Sequence, residues 1–202
     1  MKLYFTPGTC SLAAHIILCE TGSNFELAEV DLATHTLENA EDYLKINPLG
    51  QVPSLQISED FTLREGAVIA RYIADQHPDQ QLIPTAGSDA RYLLEQWQNF
   101  IATELHKNFA PLFNPAFDHA ARTAARQQLR GKYQWLDKHL AANSYLCGGQ
   151  FSVADAYLFT VTRWAPTVDL DLSDCRQLAL YMNRLQQRSS VQTALRTEGL
   201  SQ

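Results

Sequence analysis

The chain has 202 residues, enough for one large domain or two small ones. With 46% hydrophobic and 19% charged residues it has the composition of an ordinary globular protein, which excludes disordered and collagen-like classes. A net charge of -6 lacks the basic footprint of a nucleic-acid binder, and no apolar run approaches the ~18 residues of a membrane span.

Lys2 to Thr6 predicts a short strand, with Leu3 and Phe5 facing one way and Tyr4 and Thr6 the other. Pro7-Gly8 breaks it, which also interrupts any secretory apolar segment. Thr9, Cys10 and Ser11 then open a helix carried by Leu12, Ala13, Ala14, Ile16, Ile17 and Leu18 and ended by Gly22. Phe25 to Val30 alternates as a second strand, and Asp31 to Ala40 reads as loop. Glu41 to Ile46 predicts a helical turn stopped by Asn47-Pro48. Gln51 to Ile57 and Phe61 to Leu63 predict two more strands. Arg64-Glu65-Gly66 leads into a helix with Val68, Ile69, Tyr72 and Ile73 on one face. Residues 1–77 are thus expected to run β-α-β-α-β-β-α.

His77 to Gly87, with two prolines and a glycine, reads as a linker. The charge balance shifts here, from strongly acidic to slightly basic. The expected division is therefore 1–77, a linker at 78–87, and an all-helical domain at 88–202. Ser88 or Asp89 caps a helix expected to reach Phe109 or Ala110, where Pro111 and Pro115 break it. A second helix spans Ala120 to Leu140, and its Arg122, Arg126 and Arg130 read as a solvated face. Ser152 and Asp155 form a capping-box arrangement ahead of AYLFTV, which predicts a central buried helix. Two shorter helices, near Asp174 to Gln187 and Val191 to Glu198, close the chain.

Four cysteines (Cys10, Cys19, Cys147, Cys175) include no C-x-x-C pair, so neither a zinc site nor a dithiol centre is signalled, and a reduced cytoplasmic protein without metal is expected. Cys10 lies at a strand-to-helix turn, where unpaired N–H groups and the helix dipole ease ionisation of a thiol. It reads as a small buried hydrophobe or as a reactive thiol, and its loop position favours the thiol. At Val52-Pro53 a cis bond would leave the Val52 N–H and C=O to pair with an extended peptide, whereas a trans proline on an edge strand is the plainer alternative. Glu65-Gly66 at a helix start suits an ammonium and a carboxylate, or simple dipole complementarity. Asn99, Thr103 and His106 are spaced to share one helix face, either a cleft wall or a solvent face.

A helical domain following such a β-α-β-α-β-β-α unit resembles the cytosolic glutathione-transferase fold, whose first domain is α/β and thioredoxin-like and whose second is all-α. The cysteine in Pro7-Gly8-Thr9-Cys10-Ser11, the run NPLGQVPSL, Glu65-Gly66, TELHK at Thr103 to Lys107, and FSVADAYLF resemble the bacterial beta class of glutathione S-transferases over essentially the whole chain. The resemblance implies a cis Pro53, a folding role for Ser152 and Asp155, and glutathione as co-substrate without a metal. It implies catalytic roles for Cys10 and His106, with Cys10 facing the glutathione sulfur and able to form a mixed disulfide with it. Glutathione would be held by Ser11, His35, Val52, Pro53, Glu65, Gly66, Asn99, Thr103, Glu104 and Leu105, in part across a homodimer. Phe109, Phe113 and Trp164 would line an electrophile pocket between the domains. Two departures stand out. Phe5 replaces a usual tyrosine, leaving Tyr4 as the nearby phenol, and His35 replaces a frequent lysine, so the glycyl carboxylate would meet a neutral imidazole near neutral pH. The implied activity is conjugation of glutathione to hydrophobic electrophiles, with Cys10-dependent thiol–disulfide exchange. The alternatives are a peroxidase, dehalogenase or isomerase on the same scaffold, or a non-catalytic ligand-binding or protein-interaction member.

Overall fold

The computed structural model describes residues 1–200, which form two compact units. Of the described residues, the first contains 1–81 and 187–200; the second is Leu82–Gln186. In the first unit β1 (Lys2–Phe5), β2 (Glu26–Asp31), β3 (Thr36–Leu37), β4 (Ser54–Ser58) and β5 (Phe61–Arg64) build one sheet in the order β3-β2-β1-β4-β5. β1 and β2 pair in parallel, with Leu3 opposite Leu27, so a crossover is required, and α1 (Ser11–Thr21) supplies it. The other strand pairs are antiparallel.

Helix α1 is apolar nearly all round because it is covered on several sides. Leu12 to Leu18 are all buried, and α1 packs against α2 (Gly66–Asp75) and α8 (Ser189–Thr197). Strand alternation sends Phe5 toward His15 of α1, and Tyr4 the other way into a cluster with Val30, Tyr43 and Val52.

The helical turn expected near Glu41 to Ile46 is a 3₁₀ turn at Tyr43–Lys45, capped by Asp42, whose side chain accepts from the Leu44 N–H. The chain differs from expectation in two places. A two-residue strand, β3, forms inside the expected loop. The last helix leaves the expected all-helical domain of residues 88–202 and returns to α1, where Arg188 and Ser190 both bind the Glu20 carboxylate. Its partners lie some 170 positions earlier, beyond the reach of a local pattern.

The second unit contains α3 (Asp89–Phe100), a π-helical segment (Ile101–His106), α4 (Lys107–Phe113), α5 (His119–Leu140), α6 (Val153–Thr162) and α7 (Arg176–Gln186). The Ser88 hydroxyl accepts from the Arg91 N–H and starts α3. α4 runs through Pro111 rather than stopping at it, since the carbonyl this proline orphans belongs to exposed Lys107. Every residue of α6 is buried. At its start the Asp155 carboxylate accepts from the Ser152 N–H at 2.8 Å, the Ser152 hydroxyl at 2.6 Å, the Leu146 N–H at 2.9 Å and the Tyr181 hydroxyl at 2.8 Å.

The arginine row of α5 is solvated only in part: Arg130 is exposed as expected, Arg122 and Arg126 are half-buried, and all three carry contacts. Arg122 donates to the Asn114 carbonyl at 3.2 Å, Arg126 to the Val168 carbonyl at 2.8 Å, and Arg130 to the Asp174 carboxylate at 2.9 Å. Arg122 thus ties the α4–α5 connection to the helix, while Arg126 and Arg130 both hold the connection between α6 and α7.

Candidate active site

In the first unit Cys10 stands immediately before α1, in helical conformation at φ -62°, after a turn that Gly8 makes at φ +74°. The turn is tied to β1 by two hydroxyls: Thr9 and Ser11 donate to the Thr6 carbonyl at 2.8 and 3.2 Å. Ser11 is fully buried, so its side chain works inside the turn.

The Cys10 thiol donates to the Val52 carbonyl at 3.1 Å. Burial pushes it up to about 11, the Glu65 charge adds to this, and the N–H groups of Cys10 and Ser11 oppose it. The expectation of an eased ionisation is therefore met only in part: the helix terminus acts as anticipated, but burial outweighs it. At neutral pH the group is a neutral S–H donor, which suits the carbonyl it faces.

Val52-Pro53 is cis, and the Val52 N–H has no partner among the described residues. A Cβ at Gly66 would meet the Pro53 ring at 3.5 Å, so the start of α2 lies directly beside this peptide. Glu65 precedes α2 at φ +68°, exposed. Cys10, Val52, Pro53, Glu65 and Gly66 thus come together at one end of the sheet. Behind them Tyr43, unnoticed in the sequence, donates to the Gln51 carbonyl at 2.8 Å and accepts from the Ser54 hydroxyl at 2.9 Å, while Asn47 donates to the same Gln51 carbonyl at 2.7 Å. These contacts fix the segment on either side of Val52.

His35, at φ +55°, lays its imidazole on Gly50, where a Cβ would sit 2.5 Å from its Cε1. Its Nδ1 is buried without a partner. Tyr4 is no substitute for the missing phenol at Phe5: it is buried and its hydroxyl donates to Gln56 at 3.0 Å.

In the second unit the π winding breaks the expected shared face of Asn99, Thr103 and His106. Asn99 and Thr103 are exposed, and the Thr103 hydroxyl donates back to the Asn99 carbonyl at 3.0 Å. Glu104 is paired with Lys132 at 2.6 Å, which lowers its carboxyl, and Leu105 is fully buried. His106 turns inward instead. Its Nδ1 lies 2.7 Å from the Tyr157 hydroxyl, its ring meets Trp164 edge-on at 5.0 Å, and burial holds its pKa below the usual 6.5. The Asn108 side chain serves the widened turn by donating to the Thr103 and Glu104 carbonyls at 3.0 and 3.1 Å.

Phe109, Phe113 and Trp164 form one aromatic cluster, with ring centroids 5.5 to 6.3 Å apart. Phe109 is fully buried and backs the cluster, whereas Phe113 is 49% exposed. Sequence reasoning missed Tyr157, although it lies in the FSVADAYLF run as the one phenol on a helix buried at every position. Among the described residues no group of three or more His, Cys, Asp or Glu side chains could hold a metal ion, and no helix is long and apolar enough to cross a membrane.

Residues 8–76 match the family described as "Glutathione S-transferase, N-terminal domain", and residues 100–189 match "Glutathione S-transferase, C-terminal domain". Glutathione S-transferase GstA of Escherichia coli O157:H7 is 46% identical over 99% of this chain and 100% of its own. A sphingomonad glutathione S-transferase solved in complex with glutathione superposes with a TM-score of 0.96 at 43% identity, covering both chains completely. The bacterial beta-class enzyme of Sphingomonas chungbukensis gives a TM-score of 0.96 at 44% identity with the same coverage. The chain belongs to the glutathione S-transferase family, with its full-length similarity reaching into the bacterial beta class.

Proposed function

We propose that this glutathione S-transferase, with glutathione as co-substrate, conjugates the reduced tripeptide to hydrophobic electrophiles and exchanges disulfides through Cys10. The observation that carries the reading is the Cys10 thiol on the Val52 carbonyl, beside a Val52 N–H that the protein leaves unpaired. An extended peptide pairing with both Val52 groups would displace the thiol from the carbonyl. The S–H would then donate to the incoming sulfur and favour its thiolate. In this reading the Glu65 carboxylate takes the γ-glutamyl ammonium and the Gly66 N–H its carboxylate, while the His35 side chain meets the glycyl carboxylate. Ser11 acts through the turn. Asn99, Thr103, Glu104 and Leu105 are proposed to contribute from the helical unit, Leu105 through its backbone alone.

His106 is proposed as the proton acceptor. In this role Nδ1–H donates to the Tyr157 hydroxyl oxygen, which leaves the second ring nitrogen unprotonated to accept the proton. Phe113 and Trp164 present aromatic surface to the electrophile. For exchange, the Cys10 proton passes to water and Sγ attacks one sulfur of a glutathione disulfide. A new S–S bond forms, the old one breaks, and the departing thiolate recovers the proton. A homodimer in the cytoplasm is proposed with this activity.

Intact mass of the purified chain after treatment with oxidised glutathione tests the reading. One glutathione, mapped to Cys10 and absent in Cys10→Ala, is expected. An adduct retained by Cys10→Ala, or no binding of glutathione by calorimetry, would reject it.

A further inference from the structure

The turn that carries Cys10 is held from two directions. On its own side Thr9 and Ser11 bond it to Thr6, as described above. On the other side stands Glu198, immediately after α8 and buried. Glu198 Oε2 accepts from the Gly8 N–H at 2.9 Å, and Oε1 lies 2.8 Å from His15 Nδ1 on α1. The next turn of chain adds packing, since Leu200 Cδ2 lies 3.4 Å from where a Cβ of residue 8 would be. Both carboxylate oxygens are therefore used, one on the loop crest and one on the helix that the loop feeds. The far end of α8 is fastened to the same helix through Arg188, Ser190 and Glu20.

We propose that Glu198 is a positioning residue for Cys10, fixing the crest of the turn so that the sulfur stays on the Val52 carbonyl. The inference rests on Cys10 being the working thiol. A buried, fully bonded network favours one arrangement of the turn over others, and loss of one partner frees the loop. The tie does not require the negative charge. Gln at 198 keeps an oxygen for Gly8 and an amide for His15, whereas Ala keeps neither.

Limited alkylation of the folded full-length chain with iodoacetamide, resolved by peptide mass, reads the effect without glutathione. Exposed Cys147 serves as the internal reference. Glu198→Ala is expected to raise the Cys10-to-Cys147 labelling ratio about 5-fold, the equivalent of one lost hydrogen bond, with Glu198→Gln within about 2-fold of the unaltered protein. An unchanged ratio in folded Glu198→Ala, or equal disturbance by both variants, would overturn the proposal. Hydrogen exchange of the Gly8 amide in the unaltered protein needs no variant: slowed exchange is expected, and exchange at the rate of a free loop would also overturn it. A missing glutathione adduct on Cys10 would instead reject the functional reading, leaving the labelling ratio to judge the anchor.

Discussion

The sulfur of Cys10 lies 3.1 Å from the carbonyl oxygen of Val52, a residue 42 positions further along the chain. Thiol and carbonyl satisfy each other, and in the proposed reading a bound peptide would take the thiol's place. The pair thus holds the sulfur neutral and ready as a donor rather than exposing a free thiolate.

Cys10 is accordingly expected to alkylate slowly near neutral pH, with a rate that climbs past pH 9 and levels only near the raised value of about 11. The sign follows for stability as well. Below pH 9 the thiol is neutral whether folded or unfolded; between 9 and 11 only the unfolded chain ionises, so this contribution is lost as the pH rises. The melting temperature of the wild type relative to Cys10→Ala should fall across that window. Glu65→Gln should shift the alkylation profile toward lower pH, and an unmoved profile would contradict the part assigned to its charge. The same variant should weaken glutathione binding by roughly 10- to 100-fold, the value of a charged hydrogen bond.

Burial lowers the pKa of His106, so its neutral form persists to more acidic pH than an exposed histidine's would. The acid limb of kcat/KM should therefore fall below pH 6.5. Tyr157→Phe removes the partner of Nδ1 and should reduce kcat by about 10-fold with little change in glutathione affinity. A limb that survives unchanged in His106→Ala would assign the titration to another group.

Gly50→Ala places a methyl group within 2.5 Å of the His35 ring and forces φ +64° on an alanine. The ring must leave its seat. A loss of about 1–3 kcal/mol in chemical denaturation is expected, with weaker glutathione binding by calorimetry. Full affinity in a correctly folded variant would show that His35 does not act from that seat.

Asp155→Ala strands the Leu146 N–H, the Ser152 N–H and the Tyr181 hydroxyl in the interior. About 3–5 kcal/mol of stability should be lost, seen as a lower denaturation midpoint, while any folded fraction retains its affinity for glutathione.

The elements of the first unit were legible because their signals are local. Pro7-Gly8 before a helix and Glu65-Gly66 at a helix start can each be read within a few residues, and Asn47-Pro48 marks the end of its turn. Tyr43 behind Gln51, Tyr157 on His106 and Glu198 on Gly8 were not legible, since each acts on a partner that only folding brings near. The contacts of the α5 arginine row were hidden for a related reason. Regular spacing shows which way the side chains lean, but the carbonyls and carboxylate they meet come from segments placed by tertiary packing. The π winding of residues 101–106 leaves the same periodicity as an ordinary helix until the carbonyls that Asn108 serves are known.

That wide turn has a consequence for the length of the helix. A π-helical segment is an α-helix into which one residue has been squeezed, and each residue of an α-helix advances the direction of its side chain by about 100°. The wide turn takes up the extra residue locally, so deleting a single position there would let the segment wind as a regular helix. What would change is the turn itself: His106 would lose the inward setting that the wide winding gives it on Tyr157.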